Sequence, residues 1–119
     1  MRTPLVSAAS LIVVLVLAGS AAAAGNPSAG KAVYNANGCG GCHTFKAAGS
    51  KGKVGPALAK SSLSARAKSA KQPLVVYVRT SVVNPNKVVV KGYSKGVMPA
   101  YAKLTKKQLD DLVAFVAKG

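Results

Sequence analysis

Both cysteines of this 119-residue chain and its only histidine fall within five consecutive positions, Cys39-Gly40-Gly41-Cys42-His43. Whatever those three side chains do, no Cys or His elsewhere shares the work, so the rest of the chain must fold around this cluster. Zinc prefers four ligands. The cluster offers three, and the only acids in the chain are Asp110 and Asp111. A Cys39–Cys42 disulfide, or a redox-active C-x-x-C of thioredoxin type, suits an oxidising compartment. Neither uses His43, and no strand-helix-strand pattern surrounds the motif.

The third reading is the haem-attachment spacing C-x-x-C-H. Two thiols add across the two vinyl groups on one edge of a porphyrin, and the next residue turns its imidazole onto the iron. Gly40 and Gly41 keep the short turn uncrowded. Iron held this way needs a sixth ligand or an open face. Of the two methionines, Met1 leaves with the N-terminal leader described below, so Met98 in Gly96-Val97-Met98-Pro99-Ala100-Tyr101 is the soft donor that stays. Methionine is ordinarily a gap-filler in cores. Met98, however, stands between Gly96 and Pro99 in a turn-rich stretch, away from any periodic apolar face. His/Met ligation raises the reduction potential and suits electron transfer.

Met1-Arg2-Thr3 precede an apolar run from Leu5 to Leu17, interrupted by Ser7 to Ser10 and followed by small residues up to Ala24. A charged start, an apolar middle and a small-residue end predict a signal peptide over residues 1–24, cleaved after Ala24 or one residue either side. An uncleaved anchor is the alternative, since Pro4 to Ala24 is roughly long enough to span a bilayer. The alanine-rich last third and the lack of a following charge cluster favour cleavage. The expected location is therefore outside the inner membrane, periplasmic or on the exterior of the cell envelope, with the protein soluble after cleavage. The mature chain would hold 119 − 24 = 95 residues, a single domain over 25–119. With no Trp, two Phe and four Tyr, so small a domain has little bulk for a core. A large apolar cofactor would supply it.

The order C-x-x-C-H, Gly55-Pro56-Ala57-Leu58, Met98-Pro99 and then a terminal amphipathic segment resembles class I monohaem cytochromes c of the small bacterial type. The resemblance covers nearly the whole mature region. Ser81-Val82-Val83-Asn84-Pro85-Asn86 and Gly92-Tyr93 are also similar to small bacterial members, including the cytochrome domains fused to some terminal oxidases. This resemblance implies an all-α fold, a small helical domain wrapped around one covalently bound haem c and its iron. It implies Cys39 and Cys42 as thioether anchors and His43 and Met98 as iron ligands. The carbonyl of Pro56 would accept a hydrogen bond from the second nitrogen of His43, and Leu58 would pack on the haem. It also implies that the first helix crosses the last, with Gly30 and Tyr34 meeting Leu112 and Phe115.

Local signals independently predict helices. Asn26-Pro27 is an N-cap followed by a first-turn proline, opening a helix that runs to about Asn37. A short helix is expected over Ser61 to Ala70 and another over Pro73 to Val83, ended by Asn84-Pro85. Strand propensity in Leu74-Val75-Val76-Tyr77-Val78 competes with the latter. Thr105-x-x-Gln108 is a capping box for a last helix with Leu109, Leu112, Val113 and Val116 on one stripe. Ala47 to Val54, rich in Gly, Ser and Lys, is expected to be a mobile loop.

Charge is the feature that haem does not explain. Seventeen basic against two acidic residues give +15, and losing Arg2 leaves 15 − 1 = +14 before haem propionates are counted. Lys46, Lys51, Lys53 and Lys60 follow His43, while Lys87, Lys91, Lys95, Lys103, Lys106 and Lys107 flank Met98. Such a face would steer an acidic redox protein, a membrane redox complex or an anionic membrane surface; a diffuse solubilising charge is the plainer alternative. Nucleic acid is not expected, given an export leader and no interleaved aromatics. Haem-attachment machinery is an expected partner during maturation, and the protein is expected to be a monomer. With no second His and no Glu, only the helix-borne pair Asp110-Asp111 is there to serve as general acid or base. The reading is an electron carrier, not an enzyme. The alternative is a haem enzyme, sensor or oxidase-associated subunit in which Met98 is displaced.

Overall fold

The computed structural model describes residues 25–119, so the expected signal peptide lies outside the described residues. Within them the regular structure is mainly four helices: α1 Pro27–Ala36, α2 Lys60–Ser69, α3 Leu74–Val83 and α4 Lys106–Lys118. The all-α class is as the sequence predicts. α1 starts at Asn26, whose side-chain oxygen accepts the N–H groups of Ser28 at 2.9 Å and Ala29 at 3.2 Å. Pro27 then fills a first-turn position whose N–H would lack a helical partner anyway. α4 starts with both halves of its capping box: the Gln108 N–H donates to the Thr105 hydroxyl at 3.1 Å, and the Thr105 N–H donates to the Gln108 side chain at 2.9 Å.

The competition over residues 74–83 resolves as helix. Pro73 caps α3 from outside, its carbonyl accepting the Tyr77 N–H at 2.9 Å. The helix buries Tyr77, Val78 and Val82 and packs against α2 and α4. Burying a valine side chain gains roughly 1.5–3 kcal/mol, whereas its helix propensity costs less than about 1 kcal/mol. Packing therefore overrides local preference.

The expected loop at Ala47 to Val54 is more ordered than its composition suggests. β1 Thr44–Phe45 and β2 Ser50–Lys51 form a small antiparallel hairpin, with Phe45 opposite Ser50 and a 3₁₀ turn at Lys46–Ala48 in the connection. Gly49, at φ 65°, makes the left-handed turn between them. Phe45 is buried, and Ala47 and Ala48 pack against the core. Anchors this small do not stand out in a Lys- and Gly-rich stretch.

α1 lies across α4. A Cβ on Gly30 would fall onto the Asp111 carbonyl and 2.7 Å from the Phe115 Cβ, so only glycine allows this approach. Next to it Tyr34, Phe45 and Phe115 form a tilted and edge-on aromatic trio with ring centroids 5.1–5.7 Å apart. Each such pair adds about 0.5–1.5 kcal/mol beyond area burial. Gly30 and Tyr34 thus meet Phe115, as the resemblance implies.

Both acids in the chain are used as ties between elements. Asp110 accepts from Arg79 of α3 at 2.6 Å and from Lys106 at 2.5 Å. Asp111, almost fully buried, accepts the Asn26 backbone N–H at 2.8 Å and Lys107 at 2.7 Å. Lys106 and Lys107, counted from sequence among the cations flanking Met98, are therefore paired along their own helix. The i,i+4 spacing brings them to the acids, which offsets the unfavourable placing of cations at a helix N-terminus.

Candidate functional site

Cys39 opens a one-turn 3₁₀ segment, Cys39–Gly41, entered through Gly38 in the left-handed region at φ 68°. The turn closes when the Cys42 and His43 N–H groups both donate to the Cys39 carbonyl, at 3.2 and 3.0 Å. Both thiols are free, Cys39 half-buried and Cys42 exposed, with no disulfide between them. Burial pushes the Cys39 thiol up, so it stays protonated near neutral pH.

His43 is 9% exposed. Its Nδ1 lies 2.6 Å from the Pro56 carbonyl oxygen. A carbonyl only accepts, so Nδ1 is the nitrogen that donates here, and Nε2 is the one left to face a metal. The segment from Ser50 to Leu58 acts as a strap that makes this contact. The Gly55 N–H donates to the Cys42 carbonyl at 2.7 Å, and the Leu58 N–H to the Thr44 carbonyl at 2.9 Å. Two glycines allow the strap to lie this close. A Cβ on Gly52 would sit 2.6 Å from the Cys42 carbonyl carbon, and one on Gly55 would sit 2.6 Å from the His43 Cε1.

One cavity of about 360 Å³ is lined by Cys39, Cys42, His43, Pro56, Leu58 and Met98 together. All four helices reach it, through Tyr34, Leu63, Tyr77, Val78, Val82, Leu112 and Val116 among others. The size lies in the range of cofactor and ligand pockets. Met98 is half-buried in the irregular chain between α3 and α4. That chain is tied back where the Gly96 N–H donates to the Asn86 side chain at 2.8 Å and the Tyr101 N–H to the Val82 carbonyl at 3.0 Å. Among the described lining residues Arg66 carries the only permanent charge, its guanidinium donating to the Ala57 carbonyl at 2.9 Å. Burial pushes the phenols of Tyr34 and Tyr101 up, keeping both neutral at pH 7.

The chemistry of this donor set fits a haem. Two free thiols and one imidazole with a bare Nε2 border the same mostly apolar cavity, and a thioether sulfur lies on its wall. Among the described residues no three His, Cys, Asp or Glu side chains gather around a metal position, so the zinc arrangement has no geometry. Sequence reasoning missed Ser50, Gly52 and Arg66. Gly52 looked like loop punctuation, and nothing local marks Ser50 or Arg66.

No curated protein matches the chain closely enough to count as a relative. The family model described as Cytochrome c matches residues 27–119, almost all of the described structure and every residue of the cavity. The chain therefore belongs to the cytochrome c family, whose members carry an iron-containing haem c bound covalently.

Proposed function

We propose that this protein is an exported monohaem c-type cytochrome that carries one electron at a time between redox partners, with residues 1–24 as a cleaved leader and 25–119 as the cytochrome domain. The observation that supports it most is the single cavity bordered by both thiols, His43 and Met98. Cys39 and Cys42 would hold the haem through thioethers, and His43 and Met98 would ligate its iron. Bound haem supplies a one-electron ferric/ferrous couple. The chain's own residues set its conditions. The Pro56 carbonyl orients the His43 ring and raises its basicity. Leu58, Val78, Val82 and Leu112 exclude water from the cavity walls, and the Met98 sulfur favours the ferrous state.

Two apolar rim residues, Val54 and Val97, are 56% and 54% exposed and line the cavity mouth. Exposed Lys53 and Lys95 lie one and two positions before them in the chain. A bare apolar patch among cations fits transient docking of an acidic redox protein or membrane complex. Among the described residues no helix is long and apolar enough to cross a membrane.

The ligation is tested on purified oxidised holoprotein. Wild type should show the weak sulfur-to-iron band near the red end of the spectrum. Met98→Ala should lose the band, keep haem attached through Cys39 and Cys42, lower the reduction potential and bind added imidazole. A band and potential unchanged in Met98→Ala would remove Met98 as the ligand and favour a carrier or sensor of different ligation.

A further inference from the structure

Ser50 has one hydroxyl proton and sits among three oxygens. The His43 carbonyl lies 2.9 Å away, the Phe45 carbonyl 3.5 Å and the Tyr34 hydroxyl 2.9 Å. Carbonyls accept only, so the Ser50 proton goes to the nearer one, on His43. Its oxygen must then receive the proton of Tyr34. The direction is thereby set: Tyr34 O–H donates to Ser50, and Ser50 O–H donates to the carbonyl of His43. Tyr34 is 1% exposed and belongs to α1, packed edge-on against Phe115 of α4. Ser50 belongs to β2, and a Cβ on Gly40 would land 2.7 Å from the Ser50 Cβ. The relay therefore ties the haem-binding turn to the α1–α4 crossing, where Tyr34 is buried against Phe115.

We infer that Ser50 and, behind it, Tyr34 are positioning residues for His43, fixing its backbone while Pro56 fixes its ring. With this relay His43 is held at three points: its N–H on the Cys39 carbonyl, its ring Nδ1–H on the Pro56 carbonyl and its own carbonyl under Ser50. Only Nε2 is left for iron. A ring free to rock at the Cα would vary the iron–imidazole geometry, and three fixed points suppress that motion. The inference rests on His43 being an iron ligand, as proposed above.

The relay makes a graded prediction. Ser50→Ala strips the His43 carbonyl of its donor and leaves the Tyr34 hydroxyl buried without an acceptor. Tyr34→Phe keeps the ring packing and the Ser50–His43 bond, removing only the outer support. The ferric holoprotein is examined by proton NMR, following the iron-shifted His43 ring resonances and exchange of the Nδ1 proton, together with the reduction potential. Ser50→Ala should move the resonances and potential and speed Nδ1 exchange by about tenfold, the equivalent of one net hydrogen bond. Tyr34→Phe should move them in the same direction by less. The double variant should match Ser50→Ala, because both act along one chain, and Ser50→Thr, which keeps the hydroxyl, should return toward wild type.

Lower thermal stability in Ser50→Ala with unmoved His43 resonances and potential would overturn the inference, leaving Ser50 a purely structural residue. If Ser50→Ala does not accumulate as holoprotein, Tyr34→Phe decides: wild-type His43 resonances in that variant overturn it as well. Absence of iron-shifted His43 resonances in wild type would instead remove the ligation reading, and the positioning role with it.

Discussion

The imidazole Nδ1 of His43 donates to the carbonyl of Pro56 across 2.6 Å, and the residue just before that proline, Gly55, passes over the face of the same ring. The two contacts depend on each other. The strap reaches the ring nitrogen because no side chain at 55 holds it off.

Gly55→Ala should therefore damage the site even though alanine is the gentlest addition available. Its Cβ would lie 2.6 Å from the His43 Cε1 and 2.9 Å from Nδ1, so ring or strap must move. Overpacking of this kind costs about 1–3 kcal/mol. Denaturant unfolding of the holoprotein measures the loss, and a shifted reduction potential reports the displaced ring. Equal stability and potential would mean the strap relaxes freely.

Helix ends were readable because caps are local: Asn26-Pro27 and Thr105-x-x-Gln108 carry their partners within three residues. The cysteine spacing was readable because it answers to the shape of a small molecule rather than to the rest of the chain. The Ser50 relay joins residues 7 and 16 positions apart through a hairpin that composition disguised as a loop, so no pattern in the chain could reveal it. Lys106 and Lys107 flank Met98 in sequence, while their pairing with Asp110 and Asp111 follows from the i,i+4 spacing of α4.

Lys71 is the non-glycine residue with a positive φ, 54°, among those described. α2 ends there in a Schellman motif: the Gln72 N–H returns to the Ala67 carbonyl at 3.0 Å and the Lys71 N–H to that of Lys68 at 3.0 Å. A left-handed conformation costs an ordinary residue roughly 1–2 kcal/mol. Glycine removes that strain but loses about 0.4–1 kcal/mol through a freer unfolded chain. Lys71→Gly should therefore stabilise by about 0.5–1 kcal/mol, a rise in Tm of a few degrees for a domain this size. Calorimetry would detect it, and a fall in Tm would mean that the lysine stem contributes packing worth more than the strain.

The acid response should come from α4. Asp111 is held below the usual carboxylate range first by the Asn26 N–H and then by Lys107, and Asp110 by its bonds from Lys106 and Arg79. Between those depressed folded values and the unfolded value of about 3.9, the unfolded chain binds more protons, so stability increases with pH there. The contribution is fully present above roughly pH 4 to 5 and is lost as pH falls through the folded values. Asp111→Asn should lower stability at neutral pH yet change less than wild type on acidification. Parallel acid curves for the two proteins would show that Asp111 is not part of the response.

Lys53 and Lys95 are exposed, and each is next in the chain to a residue that lines the cavity, Val54 and Ser94. With both acids tied internally, no free carboxylate side chain among the described residues interrupts the positive surface, and the question is whether position matters. Charges aligned with a partner raise association rates by about 10- to 1,000-fold, and salt removes most of the gain. Electron transfer with an acidic redox protein should therefore slow steeply with ionic strength, while a small neutral reductant should barely respond. Lys53→Glu with Lys95→Glu, one beside each of these lining residues, should reproduce the loss at low salt. Lys31→Glu is the control, because Lys31 is exposed on α1 and borders a separate small depression with Phe115 and Gly119. Its charge change is the same per residue, but it lies off the proposed docking face. A smaller effect of Lys31→Glu per charge identifies a localised patch. Equal slowing per charge at all three positions would favour diffuse attraction over a docking face, since long-range charge is then the only thing the partner senses.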